Sequence, residues 1–234
     1  MSARVDETPN GMRFRDREEA GRTLGSLLQE YAVEAPIVLA LPRGGVPVGY
    51  EVARALGAPL DVWVVRKVGV PWHPELGLGA VAEGGYLHIS RKMVADIGIS
   101  KEELEQAIES KRAEVEARVR RFRGERPPPE LQGRTVILVD DGIATGGTVR
   151  AALRAIKAAG PRQVVLAVAV ASPDVLASLA SEVDRVVCPL VPEALYAIGL
   201  WYEDFRQVSD SEVVRLLEQS RGRTRRRPLG VVKG

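Results

Sequence analysis

The sequence predicts a doubly wound, mainly parallel α/β sheet flanked by helices, with a small hood or accessory lobe. Three observations lead there. Apolar runs of strand length alternate with amphipathic helical stretches along most of the chain. The run "RQVVLAVAV" (162–170) is apolar almost without a break, as a strand covered on both faces must be. With 234 residues and 45% apolar content, the chain can bury one substantial core.

Each element can be justified in turn. Residues 14–32 place Leu24, Leu27 and Leu28 on one helical face. "APIVLALP" (35–42) reads as a short strand, and "VPVGYEVARALG" (46–57) as a helix stopped by Gly57. "LDVWVVRKVG" (60–69) reads as one strand ending in a basic pair. The Gly- and Pro-rich stretch 69–85 suggests a mobile loop, with room for a hairpin, and "YLHIS" (86–90) a further strand.

Ser100 with Glu103 forms a capping-box pattern that opens a long helix, 100–122. Its apolar stripe of Leu104, Ile108, Val115, Val119 and Phe122 is interrupted by Lys111 and Arg112, and could serve as a dimer face. After the stiff "RPPPE" come a strand (134–139), a loop (140–147) and a helix (148–159). The strand 162–170, the helix 173–180, the strand 184–190 and the helix 210–219 complete the order. The expected organisation is one domain over 1–220, with its core at about 33–84 and 131–188. A helical insertion at 90–125, a hood at 189–208 and a flexible Arg-rich tail at 221–234 are added to it.

Bulk properties exclude several classes. The formal net charge of +2 is too small for a polycation, so nucleic acid is not an expected partner of the globular part. No apolar run is long enough for a membrane span, and the first twenty residues lack a signal-peptide core. The lone Cys188 has no partner for an intramolecular disulfide. A cytoplasmic setting is the expectation.

The chemistry is concentrated in "VILVDDGIATGGTV" (136–149). In doubly wound sheets ligands bind beyond the carboxyl ends of the strands, where Asp140 and Asp141 would lie. "ATGGT" then opens a helix, whose bare N–H groups and dipole suit a phosphate. Gly146 and Gly147 let the backbone approach, and Thr145 and Thr148 add hydroxyl donors. Two carboxylates beside a phosphate must face something else, either sugar hydroxyls or a hydrated cation. A phosphate at one end and a diol at the other describe a ribose 5-phosphate.

This string closely resembles the ribose-phosphate signature of type I phosphoribosyltransferases, which bind 5-phosphoribosyl 1-pyrophosphate (PRPP) with Mg²⁺. The resemblance extends over most of residues 36–206. It implies a PRPP-dependent enzyme that transfers ribose 5-phosphate to a nitrogenous base, a purine favoured over a pyrimidine, and releases pyrophosphate. Asp140 and Asp141 would hold the ribose hydroxyls, with Mg²⁺ engaged indirectly. Ala144, Thr145, Gly146, Gly147 and Thr148 would wrap the 5-phosphate. "LPRGG" (41–45) is similar to the family's pyrophosphate loop, giving Arg43, Gly44 and Gly45, with a cis Pro42–Arg43 bond as in several relatives. Asp140, Asp141 and Arg43 are the expected catalytic groups.

"VVRKVG" resembles the Arg-Lys pair before the family's flexible loop. Arg66 and Lys67 would contact pyrophosphate, and residues 68–80 would form a lid. "VPEALYAIGLWYEDFRQVSD" (191–210) looks like the hood of the 6-oxopurine enzymes. There Arg206 would reach pyrophosphate and Tyr196 or Trp201 would stack on the base.

Two departures matter. Trp201 stands where relatives have a metal-binding Asp. Ala144 stands where many 6-oxopurine enzymes have an Asp that handles a proton on the base. Glu75, Glu83 and Glu203 are substitutes for that acid. His73 is expected on a loop surface and His88 in a strand. A PRPP- or nucleotide-sensing regulator of the same fold stays open as an alternative, as does a hydrolase of nucleotides.

Overall fold

The computed structural model of the chain describes residues 13–226, except for the side chains of 74, 75 and 224–226. In chain order the elements are α1 (Arg17–Leu27), β1 (Ile37–Ala40), α2 (Gly45–Leu56), β2 (Leu60–Val62), β3 (Val65–Val70), β4 (His73–Ala82) and β5 (Leu87–Ile89). There follow α3 (Arg91–Ile97), α4 (Lys101–Arg123), β6 (Thr135–Asp140), α5 (Gly147–Ala158), β7 (Gln163–Val168), α6 (Pro173–Ala180), β8 (Arg185–Val187) and α7 (Asp210–Arg226). Five strands form one parallel sheet in the order β2-β1-β6-β7-β8. The remaining three form an antiparallel sheet, β3-β4-β5.

The parallel sheet is covered on both faces. One face carries Val38, Ala40, Ile137, Val139, Val165 and Ala167 in a core with α1, α2 and α7 residues such as Leu24, Val52 and Leu217. The other carries Leu39, Val136, Leu138, Leu166 and Val168 against Leu153, Ile156 and Leu179 of α5 and α6. The unbroken apolar strands of the sequence arise from this double burial.

The run 60–69 differs from the expectation of one strand. β2 ends at Val62, and β3 starts at Val65 in the other sheet. Val62, Trp63, Val64 and Val65 are all buried, so the apolar run continues through the crossover and hides it. The chain then forms the β3–β4 hairpin, with a register shift on either side of Gly69. The stretch 69–85, expected as a loop with room for a hairpin, is mostly the second strand of that hairpin.

Ser100 and Glu103 make the capping box that opens α4. Val115 and Phe122 are buried in the core, and Leu104, Ile108 and Val119 pack against it. Much of the apolar stripe of α4 thus packs on the chain's own core, with Leu104, Ile108 and Val119 left partly exposed. At the helix end, buried Arg123 donates to Glu83 at 2.9 Å and lies 3.1 Å from Asp61 of β2. Burial pushes the Glu83 carboxyl up to about 7, against the pull of Arg123. The C-terminal helix also runs beyond 219. Residues 221–226, expected in a flexible tail, continue α7, and Arg223 stacks over Tyr50 at 4.6 Å and donates to its hydroxyl. Residues 227–234, with Arg227, lie outside the described residues.

Candidate active site

β1 and β6 are neighbours, with Ala40 opposite Val139, so the loops that leave their carboxyl ends meet. The Leu41 N–H donates to the Val139 carbonyl at 3.0 Å. The Pro42–Arg43 peptide is cis. A Cβ on Gly44 would sit 2.0 Å from Asp141 Oδ2, inside any tolerable contact. A Cβ on Gly45 would lie 2.8 Å from the Val139 carbonyl oxygen. The two glycines are needed because the first loop packs directly on the acidic pair. Arg43, Gly44, Gly45, Asp140 and Asp141 are therefore brought together.

The two acids differ in their surroundings. Asp141 accepts from Arg17 Nε at 2.7 Å, and both side chains are nearly buried. Arg17 Nη1 donates to the Arg206 carbonyl at 2.8 Å, and the guanidinium stacks 3.9 Å from the Phe205 ring centre. Buried Tyr202 donates its hydroxyl to the Asp141 carbonyl at 2.6 Å. Burial raises the ionisation point of this hydroxyl, so it stays a donor. Asp140 accepts from the Asp141 N–H at 3.0 Å. Its carboxyl is pushed well above the usual range, first by burial and then by the Asp141 charge. Asp141 is a compensated carboxylate, while Asp140 is held toward its neutral form.

The residues after the acids leave a helix terminus open. Gly146, at φ 77°, is the N-cap of α5 and supplies no capping side chain. That positive φ is one that side-chain-bearing residues rarely adopt. Ala144, Thr145, Gly147 and Thr148 are exposed, and a Cβ on Gly147 would meet no atom within 4 Å. The first N–H groups of α5 consequently face open space, with the positive end of the helix dipole behind them.

The other expected residues are less uniform. Arg66 and Lys67 are successive on β3 and so point to opposite faces. Only Arg66 turns toward α4, where its Nε lies 3.4 Å from Glu114. Lys67 follows on the opposite face of β3 and is exposed. Arg43 is 3.7 Å from Asp210. Arg206 presents its carbonyl to Arg17, and its guanidinium lies 3.5 Å from Glu212. Trp201 is half-buried against the core, and its carbonyl accepts from the Phe14 N–H at 3.0 Å. Tyr196 is 89% exposed.

Glu83 is committed to Arg123, away from the acidic pair, and Glu203 is exposed, with its N–H donating to the Phe14 carbonyl. The Glu75 side chain lies outside the described residues. His73 is exposed and pairs with Val70, and His88 pairs with Ala80. Arg17, Asp210 and Glu114 were missed from the sequence. No local pattern marks them, because each acts on a residue far away in the chain.

Comparison with known proteins agrees with this fold. A model of the phosphoribosyl transferase domain matches residues 17–190. Two Mycobacterium tuberculosis proteins, from strains CDC 1551 and H37Rv, are provisionally named phosphoribosyl transferases. Each is 43% identical over 207 residues, covering 88% of this chain and 47% of the relative. The chain thus spans about half the length of these relatives. The crystal structure of TT1426 from Thermus thermophilus is 45% identical, covers 89% of this chain and 99% of that one, and superposes with a TM-score of 0.79. With its motifs, its fold and its relatives in agreement, this chain belongs to the phosphoribosyl transferase domain family.

Proposed function

We propose that the chain transfers ribose 5-phosphate from PRPP, with Mg²⁺, to a ring nitrogen of a base, a purine in preference to a pyrimidine, and releases pyrophosphate. One observation carries this reading. Gly44 lies so close to Asp141 that the pyrophosphate-type loop and the acidic pair form one surface, beside the open N-terminus of α5. A phosphate on 144–148, a diol on Asp140 and Asp141, and a polyanion at Arg43, Gly44 and Gly45 would occupy it together. Arg66 from β3 adds charge on the polyanion side.

Mg²⁺ fits this site in a limited way. Among the described residues, no group of three or more His, Cys, Asp or Glu is placed to hold a metal. Asp141 is already paired with Arg17. Such a donor set suits a hydrated cation carried mainly by phosphate oxygens, with Asp140 and Asp141 acting through its waters. Mg²⁺ bound in this way would offset charge on the leaving pyrophosphate.

The chain's own groups do the rest. The α5 terminus fixes the 5-phosphate, and the acidic pair orients the ribose hydroxyls. Arg43 and Arg66 stabilise the negative charge that develops as the bond from C1 to pyrophosphate breaks. The new bond forms from C1 to a ring nitrogen, which gives up its proton to the departing pyrophosphate or to water. Ala144 cannot take that proton. Tyr196, with its exposed ring, would stack on the base, and the β3–β4 hairpin would exclude water.

Phosphorus NMR of PRPP with Mg²⁺, the protein and a pooled panel of bases tests the proposal. Pyrophosphate that appears only with the pool establishes the transferase, and splitting the pool names the base. PRPP signals that broaden without turnover would overturn transfer in favour of a sensing regulator. Sharp, unshifted signals would overturn PRPP binding itself.

A further inference from the structure

The cations expected to meet pyrophosphate are already engaged. Arg66 Nε is 3.4 Å from Glu114 Oε2, and the same carboxylate holds Lys111 through its other oxygen. Arg43 Nη1 is 3.7 Å from Asp210 Oδ1, while Asp210 Oδ2 is 2.9 Å from Arg121 Nε. Each carboxylate is shared between one cation of the candidate site and one cation of α4. Lys111, Glu114, Arg118 and Arg121 follow at helical spacing, so one stripe of α4 carries all four. These charges interrupt the apolar pattern of the helix on the side that faces β3.

The balance of charge is uneven. Arg43, Arg66, Lys111, Arg118 and Arg121 gather around two carboxylates, Glu114 and Asp210. Burial, and then the nearby Arg118 charge, lower the ionisation point of Arg66, and Arg43 adds to this. Asp210 Oδ1 is buried and makes no hydrogen bond. Its partner Arg43 therefore has donors that a closer, better-aligned oxygen could use. Guanidinium groups bind phosphate oxygens in bidentate fashion. A diphosphate with several charges satisfies such a cluster better than two single carboxylates.

We propose that Glu114 and Asp210 stand in for the pyrophosphate group of the ligand. In this reading Lys111 and Arg121 of α4 become additional pyrophosphate contacts once those carboxylates are displaced. The inference rests on the proposed function, because it takes Arg43 and Arg66 as pyrophosphate ligands. It adds to the site a helix that lies outside its sequence motifs. It also assigns a role to the α7 terminus, which brings Asp210 against Arg43.

Calorimetric titration of inorganic pyrophosphate with Mg²⁺, and of PRPP with Mg²⁺, provides the test at low ionic strength. The wild type is compared with Glu114→Gln, Asp210→Asn, Lys111→Ala and Arg121→Ala, each checked by thermal melting. Ser209 supplies the cap of α7, its hydroxyl accepting from the Glu212 N–H at 3.1 Å, so Asp210→Asn preserves the helix. Glu114→Gln and Asp210→Asn should each tighten pyrophosphate binding by roughly three- to tenfold, because a competing charge is removed. Lys111→Ala and Arg121→Ala should weaken it by a similar factor and flatten its salt dependence. If the wild type binds and all four variants bind equally well, the ion pairs are structural and this inference falls alone. If the wild type binds neither ligand, the functional reading falls with it.

Discussion

Arg17, the first residue of α1, donates to the Asp141 carboxylate at 2.7 Å across 124 residues of sequence. The same guanidinium reaches the Arg206 carbonyl and stacks on Phe205, so a single side chain ties α1, the acidic loop and the hood together. Breaking a buried ion pair from one side leaves an uncompensated charge and costs about 3–5 kcal/mol. Arg17→Met should therefore lower unfolding free energy in urea by roughly that amount. Adding Asp141→Asn should recover a large part of the loss, because neither partner then keeps a buried charge. Additive effects in this double-mutant cycle would refute the coupling.

Asp140 should show the opposite balance between stability and function. Its half-buried carboxyl lies beside the Asp141 charge and is held toward the neutral form. Asp140→Asn removes that burden and should raise the urea midpoint at neutral pH. The same change should weaken PRPP binding, since a neutral amide accepts more weakly from a sugar hydroxyl than the carboxylate that a bound cation would favour. Asp141→Asn should weaken binding and also destabilise, because it strands Arg17. Equal stability changes at the two positions would contradict the asymmetry of the pair.

Gly44 is a steric requirement rather than a flexible joint. An alanine there would drive its Cβ into the Asp141 carboxylate. Gly44→Ala should cost about 1–3 kcal/mol as an overpacking change. It should also displace Asp141 from Arg17, so the further cost of Arg17→Met should be much smaller in the Gly44→Ala background. A full Arg17 effect in that background would place Asp141 elsewhere.

The parts of the site legible in the sequence are those in which one short stretch contains both the strand end and the loop. Residues 41–45 and 140–148 each run from a strand into a helix, so chemistry and position can be read together. Arg17 could not be found in this way. It is one of several arginines near the start of α1, and only the folded chain brings Asp141 to it. The same holds for Glu114, which acts from a helix far from the motifs in sequence, and for Asp210, the last residue of the hood string, whose partner Arg43 lies far away in the chain. The crossover at Trp63 was hidden for a different reason. Four consecutive buried residues carry no alternation, and periodicity cannot place a break inside a uniformly apolar run. Trp201 and Tyr196 were equivalent aromatics in the sequence, and burial alone separates them.

Glu83 gives the fold a pH-dependent element outside the candidate site. Its carboxyl rises from 4.5 to about 7, mainly through burial, while Arg123 opposes the shift. A carboxyl whose folded value is raised binds protons more tightly in the folded state. Its contribution to stability is fully present below about pH 4.5 and is lost as pH rises through about 7. At 1.36 kcal/mol for each unit, the loss across this window is about 3 kcal/mol. Glu83→Gln keeps the shape and the hydrogen bond to Arg123 without the proton, so it should remove this component. Urea unfolding of both proteins from about pH 5 to about pH 8 measures the difference. The variant should match the wild type at the acid end and become the more stable of the two as pH rises. Parallel profiles would mean that Glu83 stays ionised throughout, with Arg123 offsetting its burial.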